Sequence, residues 1–172
     1  MHFYKLCLCS IPVSARISSA CCPRKNAIEA YWRRILDPDA AIHGLAARAW
    51  GETERILSEH APNRVRLDIA ALRASRALPS TPFMEAHYFQ NDCFMKPDQL
   101  MNEADKLTGI PGIIVQGRYD LLCPPAISHA LAARWPGSEV RVINGAGHSL
   151  YDPGIRDAVM KAIADLASKI KT

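Results

Sequence analysis

Two short runs of β-branched residues, Ile113-Ile114-Val115 and Val140-Arg141-Val142-Ile143, constrain this chain more than anything else in it. Side chains branched at Cβ fit a pleated surface better than a helix, so both runs predict strands. Between them residues 125–135 carry a helical pattern that Pro136-Gly137 closes. A strand, a helix and a strand within about 30 residues make a βαβ unit, and its two strands run parallel. The first run is apolar at every position and predicts cover on both faces of the sheet. A final amphipathic helix over residues 154–170 places Ile155, Val159, Ile163, Leu166 and Ile170 on one face.

The preceding residues read differently. Ile28, Tyr31, Trp32 and Ile35 recur at helical spacing and form one apolar stripe. Asp37-Pro38-Asp39 then restarts the chain, with Asp37 as N-cap and Pro38 at the first helical position. That second helix runs to about Ser58 and is stopped by His60-Ala61-Pro62. Residues 65–78 carry a weaker helical pattern. Thr81-Pro82 with Glu85 opens a fourth helix reaching Phe89, and Pro97-Asp98 a fifth reaching Leu107. Nothing in residues 26–107 reads as a strand. The chain therefore divides into an atypical, disordered leader over 1–25, a helical region over 26–107 and an α/β region over 108–172.

Charge and cysteine usage narrow the function classes. The net charge is +4, but residues 1–36 alone carry +5 (Lys5, Arg16, Arg24, Lys25, Arg33 and Arg34 against Glu29). The rest is nearly neutral, without the one-sided cation excess a nucleic-acid binder needs. No apolar run approaches the roughly 20 residues of a membrane-spanning helix. Cys7, Cys9, Cys21 and Cys22 crowd the leader in Cys-x-Cys and Cys-Cys spacings, while Cys93 and Cys123 stand alone. Neither arrangement matches a structural zinc site, so no metal is expected and the thiols read as reduced, in a cytoplasmic protein. The leader is free of acidic residues and has a short apolar stretch, Leu6 to Val13, laid out like a signal peptide. Arg16, however, interrupts the approach to the cleavage site, and the Arg/Ser-rich composition also fits a mitochondrial presequence.

Candidate chemistry follows the two strands. Gln116-Gly117-Arg118-Tyr119-Asp120 succeeds the first, and Asn144-Gly145-Ala146-Gly147-His148-Ser149 the second. In an open parallel sheet, ligand chemistry gathers beyond the carboxyl ends of the strands. Adjacent parallel strands bring Asp120 and His148 to that same edge. There a carboxylate can accept the imidazole Nδ1–H within roughly 2.6–3.2 Å, fix its tautomer and stabilise the imidazolium. The plainer reading makes Asp120 a helix cap and His148 a surface loop residue. The order Asp then His, each just past a strand of one βαβ unit, favours the catalytic pair.

The stretch Gly109-Ile110-Pro111-Gly112-Ile113-Ile114-Val115-Gln116-Gly117-Arg118-Tyr119-Asp120 resembles the proline iminopeptidases (prolyl aminopeptidases) of the α/β-hydrolase superfamily. Gly145-Ala146-Gly147-His148-Ser149 resembles their histidine loop. Glu85-Ala86-His87-Tyr88-Phe89 is similar to a segment of their cap, and Ala47, Ala49 and Trp50 followed by Glu54 to another. The resemblance runs from about residue 31 to 167. It implies a partial α/β-hydrolase fold: a helical cap region, then a βαβ unit and a C-terminal helix. It also implies a serine hydrolase that needs no cofactor and releases N-terminal proline from peptides. By the same resemblance Asp120 and His148 are the acid and base of a Ser-Asp-His triad, and Glu54 and Glu85 hold the substrate's terminal amine. Two carboxylates suit that task, because charge-assisted hydrogen bonds distinguish a cationic amine from an internal amide. The tryptophan usual just before Glu54 is Thr53 here. Cys123 falls where the family often has a cysteine near the substrate pocket. It reads as a small pocket-lining hydrophobe, or else as a nucleophile beside Asp120 and His148.

The sequence contains no Gly-x-Ser-x-Gly, the motif that sets a nucleophilic serine on a strained strand-to-helix turn. The expectation is therefore a C-terminal fragment that carries Asp and His without Ser and is inactive alone. Its partners would be an N-terminal prolyl peptide, and a complementary N-terminal half or a second copy along the sheet edge. The alternatives are a non-catalytic remnant or binding protein, and another α/β-hydrolase acting on esters or amides.

Overall fold

A computed structural model describes residues 24–62 and 66–170, so most of the leader lies outside the described residues. The chain divides into two units. One holds the described residues of Met1–Glu54 and Arg64–Pro97, the other those of Arg55–Asn63 and Asp98–Thr172.

The first unit is helical. Helix α1 (Arg24–Ile35) buries the stripe its spacing predicts: Trp32 and Ile35 are in the core, with Ile28 and Tyr31 half-buried. Helix α2 (Ala40–Ser58) begins later than Asp37-Pro38 suggests. Asp39 takes the capping position, its carboxylate accepting from the Ala41 N–H at 2.8 Å and its carbonyl from Ile42 and His43. The Asp37 carboxylate instead accepts from the Asp39 N–H at 2.9 Å, closing the turn before the helix. Small residues (Gly44, Ala46, Ala47 and Ala49) form the buried face of α2 together with Trp50. Tyr31 packs against Trp50 and Trp32 against Phe89, with ring centroids 5.8 and 5.6 Å apart.

Only a short piece of the third expected helix forms, α3 (Ile69–Ala74), capped by the Asp68 carboxylate on the Ala71 N–H. No residue of α3 is buried, so no packing extends it beyond its cap. Helix α4 (Thr81–Gln90) starts with Pro82 in its first turn, as expected, and buries Pro82 and Ala86.

The second unit takes the last turn of α2 and everything from Asp98. The expected helix over 97–107 is broken into α5 (Gln99–Asn102) and a 3-10 turn, Ala104–Leu107. Asp98 enters it in a left-handed conformation, and of these residues only Ala104 is buried while Leu100 is 65% exposed. Without an apolar stripe to bury, a continuous helix gains nothing over two turns. Strands β1 (Gly112–Gly117) and β2 (Ser138–Ile143) pair in parallel, in register from Gly112 opposite Ser138 to Gly117 opposite Ile143. The crossover helix α6 (Pro125–Ala132) is shorter than its pattern. Trp135 leaves the helix and its indole N–H donates to the Ile110 carbonyl at 2.9 Å.

Both α6 and α7 (Ile155–Ile170) pack on β1, yet Ile113, Ile114 and Val115 remain half-buried. Along α7 the buried residues are Ile155 and Ala162, whereas Ile163, expected on the inner face, is 57% exposed. Helical geometry explains the shift. Seven residues return the chain to within about 20° of Ile155, but eight carry Ile163 about 80° round the axis.

Candidate active site

The loops beyond the two strands are stitched together by main-chain hydrogen bonds. Arg118 N–H donates to the Ile143 carbonyl at 3.0 Å and Tyr119 N–H to the Ala146 carbonyl at 2.9 Å. The approach is close enough that a Cβ on Gly117 would lie 1.9 Å from the Gly147 carbonyl oxygen. Only glycine permits it.

Within this frame Asp120 is buried and densely bonded. Oδ1 accepts from the main-chain N–H groups of Leu122 at 2.9 Å and Cys123 at 2.7 Å. Oδ2 accepts from His148 Nδ1 at 2.9 Å, within the distance the strand placement predicts. Gln116, buried at the end of β1, donates to the carbonyls of Gly117 and Cys123 at 3.0 Å each and lies 3.4 Å from Asp120 Oδ2. Its own carbonyl oxygen accepts from the Ser128 hydroxyl on α6. The loop that presents Asp120 is thus held from the strand and from the crossover helix together.

The Asp120 side chain is 6% exposed and that of His148 45%. The imidazole is therefore partly open to solvent while its partner is shielded. The hydrogen bond to the carboxylate raises the imidazole from 6.5 to about 10, with the Cys123 sulfur acting in the same direction and partial burial opposing. A carboxylate that raises the basicity of an imidazole in this way suits it to take up a proton and return it.

The His148 loop has its own anchors. His148 and Ser149 N–H groups both donate to the carbonyl of Ser58, at the end of α2, at 2.7 and 2.9 Å. The Asp152 carboxylate accepts from the Gly147 N–H at 2.5 Å and the His60 N–H at 3.0 Å. Sequence reasoning missed Gln116, Ser58, His60 and Asp152. Asp152-Pro153-Gly154 reads only as a turn, and a main-chain acceptor such as the Ser58 carbonyl leaves no trace in residue identity.

Of the other expected site residues, Cys123 is a free, half-buried thiol in the same loop as Asp120. Glu85 and Glu54 belong to the helical unit. Glu85 Oε2 accepts the Trp50 indole N–H at 2.7 Å, a contact that joins α4 to α2. Glu54 is half-buried on α2, one turn beyond Trp50 and on the same side of the helix. Among the described residues no group of three or more His, Cys, Asp or Glu could hold a metal ion. No described helix is long and apolar enough to cross a membrane.

A carboxylate and an imidazole at the carboxyl ends of adjacent parallel strands suit proton transfer in a hydrolase. Comparison with known proteins points the same way. The family described as TAP-like protein matches residues 81–169, which takes in α4, the βαβ unit and both loops. A probable proline iminopeptidase of Leptolyngbya boryana is 37% identical over 144 residues, covering 81% of this chain and 43% of that protein. The proline iminopeptidase of Neisseria meningitidis is 37% identical over 144 residues, 83% of this chain and 44% of its own length. That of Arabidopsis thaliana is 35% identical over 134 residues, 74% of this chain and 33% of its own. The chain thus spans less than half the length of these relatives and matches their C-terminal part. A family match that covers the parallel strands and both site loops makes the chain a member of the TAP-like protein family, with the mixed helix and strand architecture of a partial α/β-hydrolase fold.

Proposed function

We propose that this chain belongs to a serine peptidase that removes N-terminal proline from peptides, and that it supplies the acid and the base of the triad. The observation that carries the reading is the Asp120–His148 pair, 2.9 Å apart beyond adjacent parallel strands. The similarity to proteins named proline iminopeptidase supports the substrate class.

In this reading His148 takes the proton of a serine hydroxyl and returns it to the leaving amine, while Asp120 fixes the ring and balances its charge. Glu85, with Glu54, receives the cationic amine of the substrate. The Trp50 indole on Glu85 Oε2 sets the direction of that carboxylate. Cys123 lines the pocket beside the pair. Residues 26–107 act as the cap and 108–172 as the C-terminal part of the hydrolase core. The sequence holds no Gly-x-Ser-x-Gly, and in this reading the serine and its oxyanion hole lie outside these residues, in an N-terminal half. Among the described residues β1 pairs only with β2, and its other edge is the place for a further strand. The free thiols of Cys93 and Cys123 favour a cytoplasmic setting.

The test is hydrolysis of a chromogenic prolyl amide by the chain alone and after co-expression with the N-terminal half of a proline iminopeptidase. The chain alone should be silent, and the pair active and abolished by His148→Ala. Labelling of the lone chain by a fluorophosphonate, blocked by His148→Ala, would overturn the division of the triad. Silence of a soluble, assembled pair would overturn the substrate class.

A further inference from the structure

The histidine loop spends three consecutive main-chain donors on groups outside itself. Gly147 N–H goes to Asp152 Oδ2, and His148 and Ser149 N–H go to the Ser58 carbonyl. Asp152 reaches back to the same stretch of chain through the His60 N–H, at 3.0 and 3.2 Å to its two oxygens. One carboxylate therefore ties the residue before His148 to the segment that holds His148 itself. The Asp152 N–H closes the turn on the Ser149 carbonyl at 3.1 Å.

Asp152 is 9% exposed. Burying a charge costs several kcal/mol unless donors surround it, and the main-chain amides of Gly147 and His60 are those donors. Gly147 leaves the room: a Cβ there would stand 2.7 Å from the Ser58 carbonyl and 3.0 Å from Asp152 Oδ2. The main chain is thus hydrogen-bonded on both sides of the His148 Cα, and from that position the ring brings Nδ1 to 2.9 Å from Asp120 Oδ2.

We propose that Asp152 is a positioning residue for His148, holding the histidine's main chain where its ring meets Asp120. Asp152 hydrogen-bonds to amides beside the histidine and acts through them, so it is not a catalytic residue. The inference rests on the reading of Asp120 and His148 as a working pair. The titratable groups that face the ring are Asp120 and Cys123.

The measurement is the titration of the His148 ring by nitrogen NMR in the full chain, alongside a thermal melt. Asp120→Asn tests the pair itself, and an unchanged His148 titration in that variant would sink the pair whatever Asp152 does. If Asp120→Asn does lower the value, Asp152→Asn should lower it by at least about one pH unit, a tenfold loss of proton affinity. The melt should stay cooperative, and Asp152→Glu, which keeps both acceptor oxygens, should recover part of the loss. A cooperative melt with His148 titrating as in the parent chain would overturn the positioning role. If Asp152→Asn does not fold, Asp152→Ser, which withdraws both carboxylate acceptors, carries the same measurement: a lowered value supports the proposal and a parental value overturns it.

Discussion

The helical unit and the α/β unit are sensitive to opposite kinds of change. In the first, the contacts are large side chains: Trp32 against Phe89, Tyr31 against Trp50, Ile35 fully buried. In the second, the critical contacts near the site are main chain on main chain, at Gly117 against Gly147 and at Ser58 against His148. A unit built on filled volume fails when atoms are removed, because a cavity remains. A unit built on close backbone approach fails when atoms are added. The difference suits the proposed proton-transfer pair, whose loops would have to be held to a fraction of an ångström.

The largest effect we expect tests the first half of that contrast. Trp32→Ala should destabilise the helical unit by about 3–5 kcal/mol in a denaturant titration followed at that unit. A midpoint unchanged from the parent would show that the buried stripe of α1 is not its support. The second half rests on Gly117→Ala. Placing a methyl on the Gly147 carbonyl should cost about 3 kcal/mol and pull the two site loops apart. Full stability with the Asp120–His148 hydrogen bond intact would break the comparison.

Asp120→Asn should cost about 2 kcal/mol at neutral pH, since it replaces a carboxylate that accepts several hydrogen bonds. Its pH dependence is the sharper readout. The imidazole is raised from 6.5 to about 10 in the folded chain, so the pair's stabilisation is complete below 6.5 and lost as pH rises through about 10. The stability difference between parent and Asp120→Asn should shrink over that window. A difference that grows with pH would mean the histidine is held neutral.

Trp50→Phe removes one indole donor from Glu85 and should cost about 1 kcal/mol. If the chain serves in a prolyl peptidase as proposed, Trp50→Phe should weaken prolyl substrates less than Glu85→Gln, which removes the charge itself. The reverse order would reassign the anchor to Trp50. The smallest effect belongs to Arg118→Ala: its contact with the Asn144 side chain, 2.6 Å long but exposed, should change stability by less than about 0.5 kcal/mol.

The local elements were largely legible in the residues. β-Branched runs marked both strands, Thr81-Pro82 marked the start of α4, and the spacing of Trp32 and Ile35 marked the buried stripe of α1. Failures fell where pattern alone had no burial behind it. Residues 65–78 and 97–107 have helical spacing but almost nothing to bury, so one holds a six-residue helix and the other two broken turns. Ile163 belongs to the apolar pattern of α7 and faces solvent, because Ala162 keeps better phase with Ile155.

The sequence by itself determined the parallel βαβ unit, and with it the meeting of Asp120 and His148. Residues that directly follow adjacent parallel strands have no other edge to occupy. Only the tertiary structure decided what holds them there. The Ser58 carbonyl lies 90 residues before His148 in the chain, and Asp152 reaches across 92 residues to the His60 N–H. Spacing rules see contacts a few residues apart, through helical turns and strand pleats. Hydrogen bonds between main-chain groups distant in sequence depend on packing, which no local pattern of side chains encodes.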